Sequence, residues 1–494
     1  MNDPLPTTAN DRRRGTALAI FAALALALLA VGLRLSKAWH HPLDPDEIYF
    51  VFLARLGWTG MMRVVTEDVE QPLYYAMSFG WRLLGGESDL WVRTLAILGG
   101  VAGVLAVVPL GRRLVDARTG WLAAFLLALH RTHVLESQNA RPNAWLWLFI
   151  TLAVIGGWGW LDERRPRQAL LFVASGAAAL YTYYFGMFPL AVLVIAGAIR
   201  LRGDRRALAQ WLGLSALVAL AFAPLAPTWW EQLLRDAKGD ADLPPMPVRD
   251  ILTLARHLLE RGTAPAVALC VPMLAALAPR EKRGSILTLW ALVVVPIVVP
   301  FALSQSGWHL FFLGQMQLAL PFVCLLFAAG VRVLSAPAAR RAATAALVLL
   351  IAWPGLRDAR PARPDEFITS VGRLRARVHP GDLLVATEPH AMLYQQFHLA
   401  MPLRYRLLVM PGVEPFHYSD AVLAVPDSLR MSPEQFRAAI ADGGAWWGVR
   451  FVHFPEYRTG QAAATMLDSV AHGPLEHGRF VTLWDGRAAD AAAR

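Results

Sequence analysis

The sequence predicts an all-α polytopic membrane bundle of about 11 transmembrane helices, followed by a small C-terminal extracytoplasmic α/β domain. Apolar side chains make up 56% of the 494 residues and charged side chains only 17%, whereas charged residues reach roughly a quarter in soluble domains. Apolar runs of membrane-spanning length recur between residues 15 and 356. Residues 357–494 instead alternate amphipathic and strand-like segments, which indicates a second, α/β domain.

The first apolar run, residues 15–33, follows Arg12, Arg13 and Arg14. Its length and the many runs after it favour an uncleaved anchor over a secretory signal. Further predicted spans lie at residues 90–110, 119–136, 143–161, 168–187, 188–200, 207–227, 263–279, 285–303, 315–334 and 341–356. The apolar stretch at residues 72–86 is short for a crossing, and counting it would invert the sidedness of all later basic loops, so we expect it to lie in the outer interface.

The basic residues predict the orientation of the bundle, because cytoplasmic loops carry an excess of Lys and Arg. If the N-terminus is cytoplasmic, every second loop is basic, for example at Arg112 and Arg113 and again at Arg340 and Arg341. We therefore expect a multi-pass protein of the bacterial inner membrane with a periplasmic C-terminal domain. This clustering also accounts for the formal charge of +10 without nucleic acid as a partner.

Two domains are expected from the change in composition. Residues 1–356 form the transmembrane domain, with a long first outer loop at residues 37–89, and residues 357–494 form the soluble periplasmic domain. Cys270 and Cys324 both lie in apolar runs, so a disulfide framework or a zinc cluster cannot be built from cysteines.

Acidic residues open the first outer loop at the mouth of the first span, at Asp44, Asp46 and Glu47. Carboxylates beside a low-dielectric region are costly to ionise and are therefore informative. They are either solvated loop acids and a helix cap, or a general base at Asp46 with Glu47 holding a cation or the loop. Later in the loop, Glu70 and Gln71 are either the polar start of the interfacial helix or groups that bind a cation or an acceptor.

An arginine, Arg141, stands at the outer end of a span, just after a Ser-Gln pair that ends at Gln138. Its guanidinium suits bidentate binding of a phosphate, although snorkelling to lipid headgroups is the alternative. Arg93 poses the same question at the top of the second crossing. Tyr183 fits either an aromatic belt at the interface or a hydrogen bond to a phosphate or sugar.

Several short motifs follow one another on the predicted outer face: DPDEIYF, EQPLYY, ESDLWVRTLAILGG, SQNARPNAW and YTYYFG. In these motifs and their order the chain resembles the polytopic glycosyltransferases of the GT-C fold. The nearest likeness is to the branch that contains protein O-mannosyltransferases and the aminoarabinose transferases acting on lipid A. The resemblance covers roughly residues 10–335.

The resemblance implies a sugar donor linked through phosphate to a polyprenol, held at the lipid bilayer, and an acceptor hydroxyl on a glycan, lipid or protein. It assigns Asp46 as the catalytic base and Glu47 as its neighbour. It assigns Arg141 to the lipid phosphate, counts Gln138 of the preceding Ser-Gln pair among the substrate-binding residues, and matches Arg93 to the arginine that opens the second span. A single displacement would invert the anomeric centre.

The chain departs from the family pattern at two motifs that contain histidine, and it also lacks the Arg-Tyr pair that the family often has before a late span, at about Gly314 and Gln315 here. The family commonly has His-Pro-Pro-Leu where residues 70–73 read Glu-Gln-Pro-Leu, and Thr-His-Tyr where residues 182–184 read Thr-Tyr-Tyr. Both changes argue against a metal site that depends on histidine, so the cofactor is left open, with a divalent cation as the candidate.

Two other functions compete with glycosyl transfer. A lipid or small-molecule transporter or flippase predicts charged or broken helices near the bilayer midplane and repeated halves, whereas the acids here crowd one surface. An inactive scaffold that keeps the GT-C fold is compatible with the altered histidine positions.

Overall fold

A computed structural model describes residues 9–39, 42–67, 71–239, 247, 249–258, 282–306, 317–357, 366–411, 425–441, 445–451, 458–471, 474–477 and 481–486. The first part of the chain is helical. Its helices are α1 (Ala9–Ala38), α2 (Pro45–Arg55), α3 (Gly57–Glu67), α4 (Pro72–Gly85), α5 (Asp89–Leu114), α6 (Ala117–Leu129), α7 (Arg131–Gln138), α8 (Asn143–Glu163), α9 (Pro166–Thr182), α10 (Met187–Leu201), α11 (Arg205–Phe222), α12 (Ala226–Gly239), α13 (Arg249–Leu258), α14 (Arg283–Gln305), α15 (Leu320–Val333) and α16 (Pro337–Arg357).

Helical stretches that are long and apolar enough to cross a membrane dominate this part. Within the described residues they are Gly15–Ser36, Asp89–Leu114, Asn143–Glu163, Tyr184–Leu201, Arg205–Leu234 and Arg283–Gln305, with shorter apolar helices at Ala117–Leu129 and Gln317–Val333. The predicted all-α membrane bundle is thereby confirmed. The number of about 11 spans stays a prediction, and the predicted span at 263–279 lies outside the described residues.

Two predicted spans have different boundaries in the structure. The boundary between the predicted spans at 168–187 and 188–200 lies earlier in the structure, because α9 ends at Thr182 and α10 begins at Met187. Proline is tolerated in the first turn of a helix, where its missing N–H would have no intrahelical partner, and Pro189 accordingly lies in the first turn of α10. The predicted span at 119–136 is likewise two helices, α6 and α7, joined at the extended residue His130.

Close helix packing in the bundle depends on small residues and on stacked aromatic rings. A Cβ atom added at Gly156 of α8 would lie 2.5 Å from the backbone nitrogen of Phe172 in α9, so only glycine permits this approach. Trp211 of α11 is fully buried and stacks on Phe172, with ring centroids 4.8 Å apart. By contrast, α1 leaves Phe21 70% and Leu28 73% exposed, as expected of a helix that faces lipid.

The chain packs into two compact units. The first comprises Met1–His40, Gln71–Tyr74 and Arg93–Arg360, and the second comprises His41–Glu70, Tyr75–Val92 and Pro361–Arg494. The units therefore do not divide at a single point near residue 356. Most of the first outer loop, including α2 and α3, packs with the C-terminal residues because its buried aromatic and apolar side chains contact a C-terminal helix.

The C-terminal residues form an α/β sheet with helices, as the sequence predicts. Its elements are α17 (Glu366–Arg375), β1 (Leu383–Ala386), α18 (Pro389–Leu399), β2 (Arg404–Leu408), β3 (Arg430–Met431), α19 (Pro433–Ala441), β4 (Trp446–Phe451), α20 (Arg458–Ala471), β5 (Glu476–His477) and β6 (Val481–Asp485). The strand order is β3-β2-β1-β4-β6-β5. Strands β3, β2, β1 and β4 pair in parallel, while β6 pairs antiparallel with both β4 and β5.

Buried apolar side chains explain why these segments become strands. All four residues of β1 and all six of β4 are buried, and a parallel strand covered on both faces needs such a continuous apolar run. Strand order reverses between β1 and β4, because β2 lies on one side of β1 and β4 on the other. Helix α18 leaves the sheet at this point, directly after β1.

Candidate active site

The turn that carries the first acidic cluster is a capping box. The Asp44 carboxylate accepts the backbone N–H of Glu47 at 2.8 Å, and the Glu47 carboxylate accepts the backbone N–H of Asp44 at 2.8 Å. Pro45 takes the first helical position, which its fixed φ suits. The cap interpretation of Asp44 is therefore confirmed, and this contact shows that Glu47 holds the loop.

Asp46 lies half-buried in the first turn of α2, beside the fully buried Glu47. Backbone N–H groups at a helix N-terminus favour negative charge, so this position suits an ionised carboxylate. Since neighbouring helical positions point about 100° apart, Asp46 does not share the direction of Glu47. The Glu47 carboxylate fixes the turn, whereas the Asp46 carboxylate extends from the same turn in another direction.

The far end of α2 is tied down by charge. The Arg55 guanidinium lies 2.5 Å from one oxygen of Glu87, and the Arg82 Nε donates to the other oxygen. Burial raises the pKa of the Glu87 carboxyl, but the hydrogen bonds from Arg55 and Arg82 outweigh this and lower the pKa below its usual value. The ionised Glu87 carboxylate, bonded by both arginines, thus links the end of α2 to α4.

Two predicted site residues of the helical unit are buried near helix ends. Arg93 of α5 is 5% exposed, and its Nη1 lies 3.4 Å from the carbonyl oxygen of Ala38, at the end of α1. Gln71 is 4% exposed and immediately precedes α4. Glu70 lies outside the described residues.

Helix α7 carries Gln138, which binds the backbone of α1. Its amide nitrogen donates to the carbonyl oxygens of Leu33 at 3.1 Å and Arg34 at 2.9 Å. This amide therefore joins α7 to the C-terminal part of α1. A role of Gln138 in substrate binding stays a prediction, and its observed bonds are structural.

A buried pair that the sequence analysis did not single out lies on the same two helices. Arg34 of α1 has no exposed surface; its Nη1 donates to the carbonyl of Ala30 at 2.9 Å and its Nη2 lies 2.5 Å from Nδ1 of His133. The contact between Arg34 and His133 joins α1 to α7. Arginine always donates, which leaves Nδ1 as the acceptor and assigns the proton to Nε2.

The signal for this pair was present in the sequence. Arg34 directly follows the first apolar run and lies inside the apolar helical stretch Gly15–Ser36, where an ionisable residue is a candidate functional residue by default. A long basic side chain near the end of a span can also snorkel to the membrane interface. The complete burial of its guanidinium excludes that interpretation for this structure.

Arg141 lies half-buried in the turn between α7 and α8. Its backbone N–H donates to the carbonyl oxygen of Asn139 at 2.7 Å, and the turn is closed by the Asn143 amide, which donates to Glu136 at 2.7 Å. The turn that carries Arg141 is therefore fixed at both ends, from α7 and from α8.

Tyr183 lies at the break between α9 and α10. It has extended backbone angles and stacks on Phe185, with ring centroids 5.8 Å apart. The hydroxyl of its neighbour Tyr184 donates to the Gln232 side chain at 2.8 Å. Tyr183 and Tyr184 thus combine aromatic packing with polar groups at the ring edge. Either interpretation of Tyr183 stays a prediction.

The predicted site residues divide between the two compact units. Asp46 and Glu47 belong to the unit that contains the C-terminal sheet, whereas Arg93, Arg141 and Tyr183 belong to the helical unit. Among the described residues, no group of three or more His, Cys, Asp or Glu side chains has the spacing of a metal site. The divalent cation stays a prediction.

Comparison with known proteins identifies the fold. Residues 71–230 match the family model of dolichyl-phosphate-mannose-protein mannosyltransferases. The structure of ArnT from Cupriavidus metallidurans bound to undecaprenyl phosphate is 14% identical, with a TM-score of 0.63 over 95% of this chain and 98% of ArnT. The same protein in the apo state is 13% identical, with a TM-score of 0.61 over 96% of this chain and 99% of ArnT.

A third similar structure is the archaeal oligosaccharyltransferase AglB from Archaeoglobus fulgidus, in complex with an inhibitory peptide and a dolichol-phosphate. It is 12% identical, with a TM-score of 0.54 over 91% of this chain and 70% of AglB. No curated protein matches the chain significantly in sequence. The chain has the GT-C fold, and the resemblance to GT-C glycosyltransferases is confirmed at this level.

Proposed function

We propose that this protein is a membrane glycosyltransferase that moves a sugar from a polyprenyl-phosphate donor to a hydroxyl of an envelope acceptor, with inversion. One observation carries the proposal: the likeness to ArnT extends over 95% of this chain and 98% of ArnT, and that ArnT structure holds undecaprenyl phosphate. AglB, which has the same fold, is seen with a dolichol-phosphate. A polyprenyl-phosphate donor is therefore the substrate class to which this fold is suited.

Asp46 is the proposed general base. The acceptor hydroxyl attacks the anomeric carbon, its proton passes to the Asp46 carboxylate, and the bond from the anomeric carbon to the phosphate oxygen breaks. A single such displacement inverts the anomeric centre. The capping box supports this role because it holds the backbone on both sides of Asp46, and positioning of a reacting group accounts for a large part of enzymatic rate enhancement.

Arg141 is the proposed partner of the leaving phosphate, with Arg93 as a second cation. Negative charge builds on the phosphate oxygen as the sugar leaves, and a guanidinium in a low-dielectric setting stabilises that charge. The hydrogen bond between Asn143 and Glu136 supports this role because it closes the turn from which the Arg141 side chain extends. A divalent cation bound with carboxylates such as Glu70 would add to the same effect.

Gln71 and Tyr183 are proposed to contact the sugar or acceptor. Gln71 is buried and carries both a donor and an acceptor, and Tyr183 offers an aromatic face with a hydroxyl at its edge. In this proposal the N-terminus is cytoplasmic and residues 357–494 lie in the periplasm of a bacterial inner membrane. Glycan, lipid and protein acceptors are all compatible with the proposed reaction.

Transfer is tested with the full chain in nanodiscs and a panel of radiolabelled polyprenyl-phosphate sugars. A glycosyltransferase converts donor into free polyprenyl phosphate and a glycosylated acceptor, whereas a flippase moves the donor without breaking it and an inactive scaffold only binds it. Mass analysis of lipid-linked sugars and envelope glycans in cells with and without the protein identifies the donor that accumulates and the glycan that is lost.

The residue assignments are tested with matched variants. We expect Asp46→Asn and Arg141→Ala each to abolish transfer while the protein still inserts into the membrane. The controls are Asp427→Asn, whose carboxylate is 90% exposed, and Arg112→Ala, on an exposed position of α5. Wild-type turnover by Asp46→Asn would remove the base assignment.

A further inference from the structure

Helix α18 of the C-terminal domain packs against α2, the helix that carries Asp46 in its first turn. The His398 Nε2 lies 3.1 Å from the carbonyl oxygen of Leu43, and the rings of His390 and Tyr49 have centroids 5.9 Å apart. The side chains of Leu43 and Tyr49 are buried at this contact. All of these residues belong to the same compact unit.

The hydrogen bond from His398 is accepted by the backbone at Leu43, just before the turn that carries Asp46. A carbonyl oxygen only accepts, so the His398 Nε2 carries the proton and donates it. Leu43 directly precedes Asp44, the N-cap of α2, whose side chain and backbone are held by Glu47. The turn at residues 43–47 is therefore held by the hydrogen bond from His398 and by the capping box between Asp44 and Glu47.

Helix α18 is itself held rigidly by the sheet. At its N-terminal end, the Glu388 carboxylate accepts the backbone N–H of Phe451 in β4 at 3.1 Å and the hydroxyl of Thr387 at 2.7 Å. Further along, the Gln395 amide donates to the Ser370 hydroxyl of α17 at 2.9 Å. All three hydrogen bonds lie inside the domain and are buried or part-buried, so α18 offers α2 a support that does not depend on solvent-exposed contacts.

Helix α18 also begins at a particular edge of the sheet. It begins at the carboxyl end of β1, next to β4, where the strand order reverses. Open parallel sheets use this edge to hold ligands. At this edge His390, in the first turn of α18, contacts Tyr49 of the first outer loop.

We propose that the C-terminal domain is a positioning element for the general base, acting through His398, its positioning residue. The domain holds the carbonyl of Leu43, which fixes the start of α2 and with it the direction of the Asp46 carboxylate. This inference rests on the proposed function, in which Asp46 accepts the acceptor proton. It gives the C-terminal domain a role in the rate of the chemical step rather than in donor binding.

The test compares His398→Ala with His398→Gln, because the Gln amide nitrogen can still donate from nearly the place of Nε2. Loss of one hydrogen bond of this kind predicts a decrease of kcat by about tenfold for His398→Ala, with the donor KM unchanged. His398→Gln restores most of kcat. The control is His379→Ala, on a histidine of the same domain whose side chain is 73% exposed, and it leaves kcat unchanged.

Hydrogen exchange of residues 42–50 supplies a measurement that needs no activity. Exchange at these amides becomes faster in His398→Ala and returns to the wild-type rate in His398→Gln. If wild-type protein transfers no sugar, the proposed function fails while exchange still tests the anchoring. If wild-type protein is active, equal kcat and equal exchange in His398→Ala overturn the positioning role, as does a loss of kcat that His398→Gln does not restore.

Discussion

The Nη2 of Arg34 lies 2.5 Å from the Nδ1 of His133, and neither side chain has any exposed surface. Within the part of the chain that the structure describes, no carboxylate forms an ion pair with Arg34, so a neutral imidazole and a backbone carbonyl solvate its charge. A buried cation without a counter-charge is costly, and each remaining hydrogen bond is correspondingly important. This pair joins α1 to α7, the helix that leads into the Arg141 turn.

The first prediction is strong energetic coupling between Arg34 and His133. Arg34→Met leaves the Nδ1 of His133 buried without a donor, at a cost of about 1–3 kcal/mol in the free energy of unfolding. The double variant with His133→Phe removes both polar groups, so it costs less than the sum of the two single variants, by ~1–3 kcal/mol. Unfolding in mixed micelles measures the cycle. Arg112→Met, on an exposed side chain, is the control, and additive effects of the two buried changes would contradict the coupling.

The turn at Asp44 and Glu47 shows which features of the site could be predicted from the sequence. The acidic cluster, the capping alternative and the helix that follows were all predictable, because a cap is a local pattern of residues a few positions apart. The contact of Leu43 with His398 was not, since it joins positions 355 residues apart and no local pattern marks either one.

The fold was predictable to a similar degree. Apolar runs located the helices because bilayer thickness fixes their length. The break at Tyr183 lies a few residues before the predicted boundary between the spans at 168–187 and 188–200. It was missed because Pro189 is compatible with both the first turn of a helix and a boundary between helices. Packing of the first outer loop with the C-terminal residues could not be predicted, since it depends on tertiary contacts such as that of Tyr49 with His390.

The second prediction separates structural from chemical roles of Glu47. Glu47→Gln keeps an oxygen that accepts the Asp44 N–H, so α2 and the transfer rate are nearly preserved. Glu47→Leu removes this acceptor and destabilises the start of α2 by about 1 kcal/mol. Transfer rates and hydrogen exchange at residues 44–50 are measured together. A large loss of activity in Glu47→Gln with unchanged exchange would show that the negative charge of Glu47 acts in the reaction.

The third prediction concerns Gln138. Its amide nitrogen is bonded to the carbonyls of Leu33 and Arg34, so Gln138→Leu lowers the free energy of unfolding by about 1–2 kcal/mol. The KM for the donor stays unchanged if these bonds are its main role. Thermal unfolding and steady-state kinetics distinguish the cases: a raised KM with wild-type stability would place Gln138 against the substrate, as the sequence first indicated.

The fourth prediction tests helix packing in the bundle. Gly156→Ala places a methyl group 2.5 Å from the backbone nitrogen of Phe172, and backbone cannot move aside as a flexible side chain can. We expect α8 and α9 to separate and the protein to lose about 1–3 kcal/mol of stability. Gly213→Ala, in a helix position with nothing within 4 Å, is the matched control and leaves stability unchanged or slightly raised. Equal thermal unfolding of the two variants would refute this close approach.

The fifth prediction is a pH dependence built into the C-terminal sheet. Burial raises the pKa of the Glu388 carboxyl from 4.5 to about 7, although hydrogen bonds from Thr387 and Phe451 and the charge of Arg450 act in the opposite direction. Between these two values the folded domain binds a proton that the unfolded chain has released. Stability contributed by this proton is therefore largest at low pH, falls as the pH rises through this range, and stays constant once Glu388 is ionised in both states.

Glu388→Gln isolates this contribution, because glutamine has no titrating proton and keeps an oxygen for the Phe451 N–H. The difference in unfolding midpoint between wild type and Glu388→Gln is expected to shift in favour of the variant as the pH rises from about 4.5 to about 7. Urea unfolding of the full chain, followed by hydrogen exchange in β1 and β4, measures it. Asp427→Asn on an exposed carboxylate should show no such trend. A wild-type protein that instead gains stability over this range relative to Glu388→Gln would mean that Arg450 holds the carboxylate ionised, and that the ion pair, not burial, dominates at this position.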